Sequence, residues 1–123
     1  MVHAPDLSVA SQWHTLRGLT LDIAITGSIA AVESPRLLRC LRRLGAEVIP
    51  WLSVGGAQFI TETSLAWASG GHQVITGFSG LAPHIATHDA LVLAPASASI
   101  LSKISLGITD SPISALAASY LGA

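Results

Sequence analysis

The chain has 123 residues, half of them hydrophobic and 11% charged, with a net charge of −1 at pH 7. The length suits one domain, but a chain this short has too little interior for so much apolar surface, so part of it is expected at a subunit interface. Six basic against seven acidic residues exclude a nucleic-acid surface, which needs a basic excess, and no apolar run reaches the ~18 residues of a membrane helix.

Residues 1–19 show no period and read as a leader, without the basic start and apolar stretch of a signal peptide. A single cysteine, Cys40, excludes an internal disulfide framework and fits a reducing cytoplasm. Residues 21–26 (LDIAIT) form an apolar run expected to be a strand buried on both faces. After Gly27-Ser28 a helical pattern runs to Leu44, with Gly45 where a left-handed C-cap belongs. Leu37, Leu38, Leu41 and Leu44 make its apolar face, and Arg36, Arg39, Arg42 and Arg43 its solvated one. Cys40, among those leucines, reads as a buried, inert thiol. Pro35 kinks this pattern or marks the true helix start.

A second strand is expected over 46–53, with Pro50 at its end or at a sheet edge because proline cannot donate to a ladder. Residues 58–69 read as a helix ended by Gly70-Gly71. Residues 90–94 (ALVLA) form another buried strand, followed by PASAS and a helix to Leu106. Asp110-Ser111-Pro112 then looks like a helix start with Asp110 as N-cap. Strands alternating with helices predict parallel strands joined by right-handed crossovers. The expected fold is α/β, a Rossmann-like three-layer αβα arrangement with a parallel sheet.

Three turns could carry chemistry. Thr26-Gly27-Ser28-Ile29-Ala30 lies between the first strand and first helix, where glycine admits a ligand to the backbone and helix N–H groups point at an anion. A plain tight turn explains that segment equally well, since no full G-x-G-x-x-G is present. Ser53-Val54-Gly55-Gly56 and Pro95-Ala96-Ser97-Ala98-Ser99 occupy the carboxyl ends of the other two strands. Ligands of open α/β sheets bind along that edge, so the three turns form a consistent set. His84 follows Pro83 in a loop before the third strand, and His88 reads as a surface pair with Asp89. No H-E-x-x-H, C-x-x-C or P-loop supports metal or nucleoside-triphosphate chemistry.

The segments TGSIAA (26–31), LLRCLRRLGAEV (37–48), SVGGAQFIT (53–61), PHI (83–85), DALVLAPASAS (89–99) and KISLGITD (103–110) resemble the flavoprotein family of homo-oligomeric flavin-containing cysteine decarboxylases. The resemblance covers about residues 20–120, taken as one flavoprotein domain over 20–123. It implies FMN bound at subunit contacts of a trimer or a multiple of three. By position, Gly27, Ser28 and Ile29 would hold the flavin phosphate, Ser53, Val54 and Gly55 a second contact, and Ser97, Ala98, Ser99 and Ile100 a third. His84 would be the catalytic histidine. In the family the flavin oxidises the thiol side of a cysteine, and the resulting thioaldehyde lets the carboxylate leave as carbon dioxide. The implied substrate is 4'-phosphopantothenoylcysteine of coenzyme A biosynthesis. The alternatives are a peptidyl cysteine or a flavin-binding regulatory role without catalysis.

Three departures qualify the match. Ser99 and Ile100 stand where the family has Asn and Thr. His84 precedes Pro95 by 11 residues, about three fewer than the family spacing. The 123 residues also stop before the family's P-x-M-N-x-x-M-W segment and its substrate-clamp cysteine, a role Cys40 cannot fill.

Overall fold

The structure, a computed structural model, describes residues 14–77 and 87–122. Three apolar runs become parallel strands: β1 (Thr20–Ile25), β2 (Glu47–Leu52) and β3 (Ala90–Leu93). Their order is β2-β1-β3, so β1 is central, with Ile23 opposite Pro50 on one side and Val92 on the other. Ile75 adds an isolated parallel bridge to Trp51 on the outer side of β2. Sequence periodicity did not mark a strand there, although Val74, Ile75 and Thr76 are all β-branched.

A 3-10 turn (Ile29–Glu33) and α1 (Ser34–Arg43) connect β1 to β2. A second 3-10 turn (Gly56–Gln58) and α2 (Glu62–Ala68) follow β2, while α3 (Ala98–Leu106) and α4 (Pro112–Leu121) follow β3. Side chains alternate across the sheet. Leu21, Ile23, Ile25, Val48 and Leu52 pack with Leu38 of α1 and Leu65 of α2. Ala24 and Trp51 turn the other way and meet Ile100 of α3 and Ile113 and Leu116 of α4. Helices on both faces make the three-layer αβα arrangement expected. No helix among the described residues is long and apolar enough to cross a membrane.

Local chemistry decides the boundaries. Pro35 sits at the start of α1, where its missing N–H has no helical partner to lose, so it begins the helix rather than kinking it. Gly45 follows at φ 98°, the left-handed position. The helix expected over 58–69 is two pieces, because the Thr61 hydroxyl accepts from Ser64 N at 3.2 Å and starts α2 afresh. The N-cap of α4 is Ser111, in a capping box with Ser114, and not Asp110. Asp110 instead pairs with Lys103 at 3.2 Å.

Pro50 lies inside β2, not at its end. Its carbonyl accepts from Ile75 N at 3.0 Å, so its nitrogen also faces the outer side, where only the isolated bridge pairs and no ladder donor is lost. The arginine face of α1 is only partly solvated: Arg42 donates to Ala68 O at the end of α2 and Arg39 lies 5.3 Å from the Trp67 ring centre. Cys40, expected to be buried, is exposed on that helix.

The apolar run of β1 contains one carboxylate. Asp22 is fully buried and accepts from Trp51 Nε1 (3.0 Å), His88 Nδ1 (2.9 Å) and the Tyr120 hydroxyl (2.6 Å). His88 is therefore tied to β1, not to Asp89, whose carboxylate accepts from Thr20 N at 2.7 Å. A buried carboxylate is tolerated only with such donors. Burial, and next the hydrogen bond to Asp22, push the Tyr120 phenol from 10.0 up to about 12. The folded state favours the neutral phenol, so this contribution is complete below about pH 10 and is lost as pH rises towards about 12. Tyr120 is the only tyrosine in the chain, so phenolate absorbance at 295 nm should show one midpoint near 12, and Asp22→Asn should lower it. Asp22→Asn should also cost roughly 2–4 kcal/mol in a urea melt. A folded protein that titrates at 10 would contradict the network.

Candidate functional site

All three strands point their carboxyl ends at the same edge, and the chain crosses β1 between building β2 and building β3. At such a switch point adjacent connections depart to opposite faces and leave a crevice. Here the crevice is a cleft of about 420 Å³ whose walls include Thr26, Gly27, Ser53, Gly55, Ser97 and Lys103.

Backbone closeness shapes the cleft on the β1–β2 side. A Cβ on Gly27 would lie 3.3 Å from Gly55 Cα, so the two turns meet main chain to main chain. Ser53 N donates to Ile25 O at 3.0 Å, and Ser53 Oγ accepts from Gly56 N at 2.9 Å, holding the second turn against β1. On the β1–β3 side Thr26 is the tie. Its buried hydroxyl donates to Pro95 O at 2.6 Å and accepts from Ser97 N at 2.8 Å. That hydroxyl is consumed by the scaffold.

Serines cap the elements that start around this edge. Ser28 Oγ accepts from Ala30 N, Ser97 Oγ from Ile100 N and Ser111 Oγ from Ser114 N, each at 3.2 Å. Each hydroxyl keeps its own proton to donate. That of Ser111 meets Ser114 Oγ at 2.8 Å, whereas those of Ser28 and Ser97 have no acceptor among the bonds of the described residues. The N-termini of α3 and α4 bring partial positive charge without a formal charge. Hydroxyls, helix starts and one lysine beside apolar wall residues suit a partly apolar ligand that carries an oxyanion group.

Of the residues expected from the sequence, Gly27, Ser53, Val54, Gly55, Ser97, Ser99 and Ile100 all line this one cleft. Ser28 and Ala98 adjoin wall residues in the chain without forming walls, and Ile29, two residues beyond Gly27, is not a wall residue. Ile100 is 7% exposed, and most of its side chain packs on Ala24 and Trp51. His84 lies outside the described residues. Thr26, part of the first expected turn, is also a wall residue, whereas sequence reasoning missed Thr76, Lys103 and Ser111. Only Ser111, before Pro112, carried a local signal, and it was read as part of a helix start.

A family model described as Flavoprotein matches residues 9–123. The chain is 33% identical over 125 residues to the coenzyme A biosynthesis bifunctional protein CoaBC of Methanocaldococcus jannaschii, covering 99% of this chain and 31% of that protein. It is 36% identical over 120 residues to the protein of the same name from Thermococcus kodakarensis, covering 92% and 30%. The chain thus spans about a third of the length of these relatives. Among solved structures, the FMN-dependent cysteine decarboxylase TvaF from thioviridamide biosynthesis superposes with a TM-score of 0.73 at 32% identity, over 80% of this chain and 65% of that one. A PPC decarboxylase mutant complexed with pantothenoylaminoethenethiol gives 0.67 at 23% identity, over 84% and 61%, a likeness of fold.

Gly56, next in the chain to the wall residue Gly55, supplies a test. A Cβ on Gly56 would lie 2.8 Å from Ile25 O and 2.9 Å from Leu52 Cδ1, and the strand carbonyl cannot yield. Gly56→Ala should therefore lower stability by about 1–3 kcal/mol, read as a shifted midpoint in urea. A wild-type midpoint would show that the turn relaxes freely.

Proposed function

The chain belongs to the Flavoprotein family, and on that premise we propose that it binds FMN in the cleft and takes part in FMN-dependent decarboxylation of a cysteine carboxylate, 4'-phosphopantothenoylcysteine in coenzyme A biosynthesis. The observation that carries this reading is the cleft itself, where the three glycine- and serine-rich turns converge on one sheet edge. Its volume lies within the ~300–1,000 Å³ usual for cofactor sites. Gly27 and Gly55 let the first two turns pack main chain to main chain, which brings two of the three candidate segments together at the cleft.

In this reading Gly27, Ser28 and Ile29 hold the phosphate, with Ser28 capping Ala30 N while its own proton points to an oxyanion. Ser53, Val54 and Gly55 form a second wall, and Ser97, Ala98, Ser99 and Ile100, at the start of α3, a third. Bound there, the flavin supplies a two-electron acceptor for the thiol side of the cysteine, which makes loss of carbon dioxide possible. His84 is the residue we assign to the accompanying proton transfer. A peptidyl cysteine is the second substrate class, favoured by the 32% identity to TvaF. Coenzyme A biosynthesis is favoured by the two CoaBC relatives.

Aspartate caps a helix start as well as serine does. Ser28→Asp should therefore leave the fold intact and place a carboxylate beside the phosphate, weakening FMN binding by at least tenfold in a fluorescence titration. His84→Asn should keep FMN bound and slow carbon dioxide release by roughly 10²-fold or more. His72→Asn, at a surface pair with Glu47, should not. A wild-type chain that takes up no FMN, or His84→Asn at full rate, would overturn the respective assignment.

We also infer a trimer or a multiple of three. Ile29, Val54, Leu101, Leu106 and Leu121 are large apolar side chains left exposed, Val54 by 86%. Light scattering should return at least three chain masses at micromolar concentration. A monodisperse monomer would refute it.

A further inference from the structure

The walls of the cleft are almost uniformly neutral. Among the described residues that line it, Lys103 alone carries a formal charge, and no carboxylate faces in. Lys103 projects from α3, which packs with α4 on one face of the sheet, whereas the turn at Gly27 leads to α1 on the other. Lys103 therefore lines the side of the cleft opposite the turn proposed to hold the flavin phosphate. Ser111 and Pro112, the start of α4, are wall residues on the same side. The start of a ten-residue helix and a lysine thus belong to one side of the cleft.

Among the described residues the Lys103 ammonium pairs with Asp110, at 3.2 Å. The carboxylate is 57% exposed and belongs to the connection between α3 and α4, outside the cleft walls. An exposed pair of this kind contributes little to stability. A buried or half-buried oxyanion in the cleft would gain far more from the same cation, because fewer waters screen it there.

We propose that Lys103 is the cation that binds an oxyanion at the α3–α4 end of the cleft, and that Asp110 competes with that oxyanion for it. This rests on the reading that the cleft takes an anionic flavin and a cysteine carboxylate. The oxyanion is the carboxylate of the substrate, because the flavin phosphate belongs to the Gly27 turn on the other side of the sheet edge. Lys103 positions that group and sets specificity for a charged ligand. If the pair served only to tie α3 to α4, removing either partner would act in the same direction. Competition predicts opposite signs.

The test uses the full chain and the variants Lys103→Met, Lys103→Arg and Asp110→Asn. Thermal shifts are read with inorganic phosphate against chloride at constant ionic strength. FMN and riboflavin affinities are read by flavin fluorescence. The FMN-loaded chain is then titrated with N-acetylcysteine and with its amide, which lacks the carboxylate. Lys103→Met should weaken N-acetylcysteine roughly tenfold while sparing its amide, Lys103→Arg should restore most of that, and Asp110→Asn should tighten it about two- to fivefold. Loss confined to N-acetylcysteine over its amide supports the proposal, whereas loss confined to FMN over riboflavin would move the flavin phosphate to Lys103 and overturn it. Equal loss of charged and neutral probes, a shared direction for the Lys103→Met and Asp110→Asn effects, or no effect from either would overturn the proposal. A wild-type chain that binds neither flavin would refute the flavin reading instead, and the phosphate shifts alone would then decide the role of Lys103.

Discussion

Because β1 is hydrogen-bonded along both edges, no ligand or segment can approach it from the side, and only its carboxyl end stays open. Both neighbouring strands run parallel to it, so their ends open at the same level and their connections must leave over opposite faces. Every wall of the cleft is attached to that end. Ser53 bonds to Ile25 O, Thr26 clamps Pro95 and Ser97, and Gly27 abuts Gly55. A shift of β1 along its axis would move all three turns at once, and a parallel ladder on both sides resists that shift.

The two ends of β1 handle polarity in opposite ways. Three residues before its end, Asp22 is sealed from water and matched by three donors drawn from β2, α4 and the segment entering β3. The carboxyl end has hydroxyls, glycines and helix starts, with one lysine. The buried carboxylate thus binds β2, β3 and α4 to the central strand, while the neutral edge stays suited to oxyanions that an acidic residue would repel.

The departures from the family pattern acquire physical content in this frame. Ile100 occupies a position where its side chain joins the α3–α4 core on Ala24 and Trp51, so a residue of that shape contributes packing in place of a polar wall. Ser99 still lines the cleft and keeps a hydroxyl there. In the stretch before Pro95, His88 and Asp89 are each bonded to β1.

Much of this was legible in the residues alone. Three apolar strands, glycine ends at Gly45 and Gly70, and the three turns follow from periodicity and from local backbone preference, which depend only on near neighbours. That the turns share one edge follows from the strands being parallel, and seven of the ten expected cofactor residues do line one cleft. Long-range packing decided the rest. Nothing local distinguishes Asp22 from a solvated aspartate, because its donors lie 29, 66 and 98 residues away. Nothing local tells that Arg39 and Arg42 reach α2, that Cys40 is exposed, or that Lys103 faces a cleft. Those assignments require knowing which helix lies against which sheet face, a property of the folded chain and not of any segment of it.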